Sequence, residues 1–253
     1  MPEVLIPLYI LAFLFGIAIG SFLNVCIYRI PEKENIVKVR SHCMQCDYRL
    51  AWYDLIPVFS YLFLRGRCRK CGAHISVQYP LVELANGIGC VLVLAVTGVS
   101  IESLLYMLLF SALLALSIID LRTYEIPIGF NIFIGCLGLV RLATDYRNWP
   151  LYVIGAASVS LFLLLIYLVT RGRGIGGGDI KLMAACGLLL GWKCIIPAFC
   201  IGCILGGVIH LIRMKVSKAE HVLAMGPYLS AGVMIMALFG EQIINAYLKF
   251  CGF

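Results

Sequence analysis

Apolar residues gather in long blocks along this chain. Eight stand out, near 5–27, 80–98, 102–119, 127–143, 150–169, 180–192, 195–212 and 224–248. A helix that crosses a bilayer needs roughly 20 apolar residues, with a range of about 17–25. Most of the blocks meet that length. The sixth is short and flanked by glycines. The first is too long for a cleaved signal peptide, lacks a basic leading region, and shows no small-x-small pattern over Ser21–Ile30. The pattern predicts an all-α polytopic membrane protein of about eight transmembrane helices. Its expected organisation is a first transmembrane helix over 1–27, a polar insert over 28–79 and a transmembrane domain over 80–253.

Composition fits that picture. Hydrophobic residues make up 62% of 253 positions and charged residues 13%, about half the charged share of a soluble domain. Orientation follows from Lys and Arg. With 28–79 in the cytoplasm, that side holds nine basic residues in the insert plus Arg122, Arg171, Arg173, Lys181, Arg213, Lys215 and Lys218. Arg141, Arg147, Lys193 and Lys249 fall on the other side. The formal charge of +7 is explained by this bias and by anionic lipid. It does not call for nucleic acid as a partner.

Of twelve cysteines, eight lie in or at the ends of apolar blocks, where cysteine behaves as a small hydrophobe. The other four form two CxxC pairs in the insert, Cys43/Cys46 and Cys68/Cys71. Two such knuckles present four thiolates, the pattern of a zinc-ribbon-like structural Zn²⁺ site. Arg49, Arg65, Arg67, Arg69 and Lys70 favour the thiolate form. Four reduced thiols, or redox chemistry, is the alternative. Between the knuckles, Trp52–Leu64 is dense in aromatic and apolar residues, which predicts that the insert packs on the membrane face or on span ends.

Two aspartates carry the sharpest chemical signal. Asp120 ends the third block, and Asp179 follows the glycine run Gly176-Gly177-Gly178. Ionisable groups at the membrane edge are costly and mark functional sites. The topology brings both to the same cytoplasmic edge. Two carboxylates sharing a small site resist joint ionisation. One stays protonated and donates to a carbonyl oxygen, while the other takes a proton from water. That arrangement hydrolyses a peptide bond without a metal. Glycines allow close approach of an extended substrate. A structural alternative has Asp120 capping its helix or pairing with Arg122, and Asp179 as the N-cap of the next span. Asn24, Glu83, Asn86 and His210 are read as polar groups satisfied by neighbouring helices; Glu83 also follows the insert directly. The chain has no HExxH, GxSxG or Walker A pattern.

These residues resemble the bacterial type IV prepilin peptidases (leader peptidases/N-methyltransferases), GxGD intramembrane aspartic proteases, over nearly the whole chain. The matching elements are Gly20–Val25 with Tyr28–Pro31, both CxxC pairs, Trp52–Val58, Leu64–Cys68 and Tyr79–Glu83. They continue with Asp120–Pro127, Gly176–Leu182 and Gly226-Pro227-Tyr228-Leu229. The resemblance implies cleavage of a prepilin or pseudopilin leader after a glycine, at the cytoplasmic face of a bacterial inner membrane, with Asp120 and Asp179 as catalytic residues. It also implies N-methylation of the new amino terminus from S-adenosylmethionine. The four-cysteine insert belongs to the form associated with that second activity. Met44-Gln45 replaces the family's Pro-containing knuckle spacer but keeps its length, and the late element lacks the fuller Pro-Phe-Gly-Pro form. No glycine-rich Rossmann loop marks a methyl-donor site. The competing readings are a GxGD protease with another substrate and no methyltransferase activity, and a zinc-ribbon scaffold or transporter. A transporter would place ionisable groups at the midplane and show repeats. Here the aspartates lie at a span edge and no repeat is evident.

Overall fold

A computed structural model describes residues 2–217 and 223–252. Lys218, one of the basic residues placed at the cytoplasmic edges above, lies outside the described residues. Nine helices order the described chain: α1 (Pro2–Arg29), α2 (Phe59–Phe63), α3 (Gln78–Thr97), α4 (Ile101–Thr123), α5 (Ile128–Thr144), α6 (Trp149–Val169), α7 (Gly177–Leu190), α8 (Trp192–Ser217) and α9 (Gly226–Phe250). Among the described residues the only β pairing is two isolated bridges. All eight apolar blocks are helical. Six helices have the length and apolarity of a membrane span, and α5 is a shorter apolar helix. The fourteen residues of α7 rise about 21 Å, well short of the ~30 Å hydrocarbon core. The sixth block is therefore a helix too short to cross alone. The protein is an all-α multi-pass membrane protein.

The chain divides into two compact units, Met1–Ala115 and Leu116–Phe253, with the boundary inside α4. In the first unit α1 lies against α3. A methyl on Gly16 would meet the Gly87 backbone, and one on Gly20 the Glu83 backbone. Four residues later, Asn24 donates to the Tyr79 carbonyl at 3.0 Å. Each step forward on α1 is a step back on α3, so the helices run antiparallel, and small residues let their backbones meet. The Asn86 amide donates to the Gly16 carbonyl at 2.8 Å, so the side-chain donors of Asn24 and Asn86 are satisfied by the neighbouring helix as the sequence predicts. The Tyr28 and Tyr79 rings stack where the two helices end. The insert therefore springs from the paired ends of one hairpin.

In the second unit α7 is central. It packs on α5, α6 and α8, and Leu182, Met183, Cys186 and Leu189 are fully buried. The α6–α7 crossing is glycine on glycine, Gly155 against Gly187, and Gly138 leaves room for Leu188 at the α5–α7 crossing. Gly202 and Gly232 serve α8 against α9 in the same way. These close approaches hold the short α7, and with it Asp179, in one place.

Candidate active site and thiolate cluster

The second unit builds a site at the ends of α4, α7 and α9. Asp120 stands one turn before the end of α4 and is 4% exposed. The helix stops at Tyr124, whose φ is +55° and whose N–H donates to the Asp120 carbonyl at 2.9 Å. A left-handed residue at this point terminates a helix and turns the chain away. It is strained for a side chain other than glycine or asparagine, a feature that clusters at functional sites. The turn carries Ile126 against α7, where a methyl on Gly178 would lie 2.9 Å from the Ile126 Cβ. The third glycine of the run is therefore required by packing.

Asp179 occupies the first turn of α7, and the N-cap position belongs to Gly176. The N-cap reading of Asp179 is thus replaced. Its amide N–H bonds the Gly176 carbonyl at 3.2 Å, and its carboxylate sits near the helix N-terminus, where negative charge is favoured. The carboxylate Oδ2 is 3.1 Å from the place a Gly176 side chain would start. Asp120, Tyr124, Glu125, Ile126, Gly176, Gly177, Gly178 and Asp179 line one open cavity of about 250 Å³.

Gly226 completes the site. As the first residue of α9, its N–H donates to Asp120 Oδ2 at 2.8 Å, in a buried setting 106 positions along the chain. A methyl there would start 2.7 Å from the same oxygen. The sequence marks Gly226 only as part of a Gly-Pro-aromatic element. Its role as a backbone donor has no side-chain signature and was not legible.

In the first unit the four insert cysteines converge. Their Sγ atoms all lie within 4.8 Å of one another, with Cys43–Cys71 at 3.8 Å and Cys46–Cys68 at 4.0 Å. Four thiolates about 2.3 Å from a tetrahedral ion stand about 3.8 Å apart, so the cluster fits a metal of that size. The two knuckles share one geometry. Asp47 (φ +52°) and Gly72 (φ +73°) follow the second cysteine in left-handed conformation. Each donates its N–H to the first cysteine's carbonyl at 2.9 Å. The bridges His42–Arg49 and Arg67–His74 close them alike. Backbone N–H groups of Cys71 and Lys70 bring the Cys68 thiol down to about 6, while burial and the neighbouring thiols push Cys46 up to about 12, so in the metal-free cluster the protons are shared unequally. Arg69 pairs with buried Asp54 at 2.8 Å and lies over the Tyr53 ring, tying the second knuckle to the segment between them. Glu83 lies where α3 leaves the insert. Its Oε2 accepts the Val58 N–H at 2.7 Å.

Comparisons with known proteins match two successive stretches of the chain. The family model described as the bacterial Peptidase A24 N-terminal domain matches residues 14–97, and that of the type IV leader peptidase family matches residues 107–211. A prepilin leader peptidase/N-methyltransferase from Bacillus subtilis (strain 168) is 35% identical over 94% of this chain and 96% of its own length. Relatives of the same name from Pseudomonas putida and Aeromonas salmonicida (strain A449) are each 33% identical, over 96% and 94% of this chain and 94% and 93% of their own lengths. No solved structure matches the chain.

Proposed function

The chain belongs to the prepilin leader peptidase/N-methyltransferase family, and from that membership we propose that it removes the leader peptide of type IV prepilin-like proteins with Asp120 and Asp179 and methylates the new amino terminus. The observation that carries the reading is the convergence of the two carboxylates on one cavity with a buried backbone donor aimed at Asp120.

The hydrolytic step needs no metal. With one proton shared by the pair, the protonated carboxyl donates to the scissile carbonyl oxygen and the ionised partner takes a proton from the attacking water. Gly226 N–H donates to Asp120 Oδ2 and fixes the rotation of that carboxyl. The other carboxylate oxygen is left for the reaction. Gly177 carries no side chain and meets open space, leaving its backbone available to an extended substrate. The pair acts as a unit, so neither aspartate is given a fixed role.

Cys43, Cys46, Cys68 and Cys71 would hold a structural Zn²⁺, which when bound would lock the two knuckles together. A methyl donor would bring a sulfonium cation. The cleft of the insert lined by Lys38, Arg40, His42, Asp47 and Arg49 is strongly basic and does not suit a sulfonium cation.

The site faces the cytoplasm in this reading, supported by the Lys and Arg asymmetry, and the host membrane is a bacterial inner membrane. Substrates are prepilins or pseudopilins of a pilus or secretion system. Co-expression with a prepilin, followed by intact mass of its amino terminus, reads leader loss and methyl addition together. A full-length, unmodified prepilin at normal enzyme level would overturn the proposal.

A further inference from the structure

The segment between the knuckles carries a face that neither the carboxylate site nor the thiolate cluster uses. Trp52 and Leu55 lie in a short 3-10 turn, Phe59, Leu62 and Phe63 in α2, and Ile56 between them. All six are exposed, Trp52 at 77%, Leu62 at 64% and Phe63 at 84%. The inward side is polar and bonded. Asp54 is buried, accepts from Arg69 and the Ala51 N–H, and Tyr61 packs over Gly66. A segment in water would turn these faces the other way, and a contiguous apolar patch of this kind marks an interaction surface.

Two tethers fix where this ridge stands. Arg29, the last residue of α1, donates to the Val39 carbonyl at 2.7 Å and ties the start of the insert to the helix end. Val58, in the middle of the ridge with φ +63°, gives its N–H to Glu83. Glu83 lies five residues past the start of α3, about 7 Å along its axis. The ridge is therefore held inside the end of a membrane-spanning hairpin. Interfacial helices seat their apolar side about 5–10 Å into the boundary between headgroups and acyl chains, which is the same depth. Its tryptophan and phenylalanines match the aromatic belt at that boundary. Exposed Arg65 and Arg67 follow α2 directly, placed for anionic headgroups.

We propose that the Trp52–Phe63 ridge is a lipid-facing anchor that lies in the bilayer interface and holds the four-cysteine insert flat on the membrane. This is separate from the peptidase reading, because it concerns the insert alone and its test does not read cleavage.

The test uses the full chain in vesicles of phosphatidylcholine, with or without phosphatidylglycerol, in which the phosphatidylcholine carries bromine high or deep on its acyl chains. The emission difference between the unaltered protein and Trp52→Phe isolates Trp52 and leaves Trp149 and Trp192 in place. High-set bromine should quench that difference by about twofold or more, deep bromine less, and aqueous iodide little. Iodide quenching without bromine quenching would mean that the ridge faces water. Protection from both would mean that protein covers it, from this chain or a second copy. Either result overturns the proposal. Arg65→Gln with Arg67→Gln should weaken the bromine effect only when phosphatidylglycerol is present. An unchanged effect there would remove the arginines from the anchor.

Discussion

Gly226→Ala is a sharp test of the carboxylate site, because it changes geometry without touching a titrating group. The new Cβ would start 2.7 Å from Asp120 Oδ2 and 3.1 Å from its Cγ, whereas ordinary contact begins at 3.4 Å. The carboxylate must retreat by the difference, about 0.7 Å. Asp120 is 4% exposed, so it cannot swing into solvent. The 2.8 Å bond from Gly226 would stretch to the limit of a hydrogen bond. A bond to a charged acceptor contributes about 1.5–3 kcal/mol, which is roughly 10–100-fold in an equilibrium or rate. Misplacing a reacting group by about 1 Å costs a similar factor of ~100. The two estimates describe one displacement and do not add. Prepilin cleavage by purified Gly226→Ala should therefore be about 10–100-fold slower, followed as intact mass against time. Gly135→Ala is the control, since its Cβ would meet nothing within 4 Å. In an Asp120→Asn background, Gly226→Ala should cost nothing more, because both changes disable one device. A wild-type rate for Gly226→Ala would show that Asp120 does not depend on this donor in the working enzyme.

Asp120→Asn and Asp179→Asn should each abolish cleavage at matched membrane levels, and the double variant should be no worse, since an amide can neither take nor share the catalytic proton; full cleavage by both would make the carboxylates structural. Gly178→Ala should slow cleavage about tenfold by pushing on Ile126, which stands 2.9 Å from the new methyl; a normal rate would mean that the α5 entry yields freely. Protein purified without chelator should hold about one zinc per chain by elemental analysis. Cys46→Ser or Cys68→Ser should lose that zinc and impair methylation at least as much as cleavage, and zinc-free native protein would remove the metal from the insert.

The spans were legible because a block of about 20 apolar residues needs no tertiary context to become a membrane helix. The two carboxylates were legible because charge at a span edge is costly and therefore conspicuous. Metal-ligand spacing exposed the knuckles, although the equivalence of Asp47 and Gly72 as left-handed residues emerges only from backbone angles. What sequence could not supply is the meaning of individual glycines. Gly135, Gly207 and Gly226 look alike in the chain. The first two face open space, while Gly226 presses on Asp120. A close approach is written as a missing side chain, and a backbone N–H donor is common to every residue but proline. The same limit hid Gly176, whose backbone takes the capping position that the structural alternative gave to Asp179, the better capping side chain. A side chain at 176 would start 3.1 Å from Asp179 Oδ2, so the bare backbone there can lie close to the carboxylate that lines the cavity with Asp120. Glycine therefore contributes to this site twice by what it lacks: at 176 and at 226 it lets the main chain come close to a carboxylate.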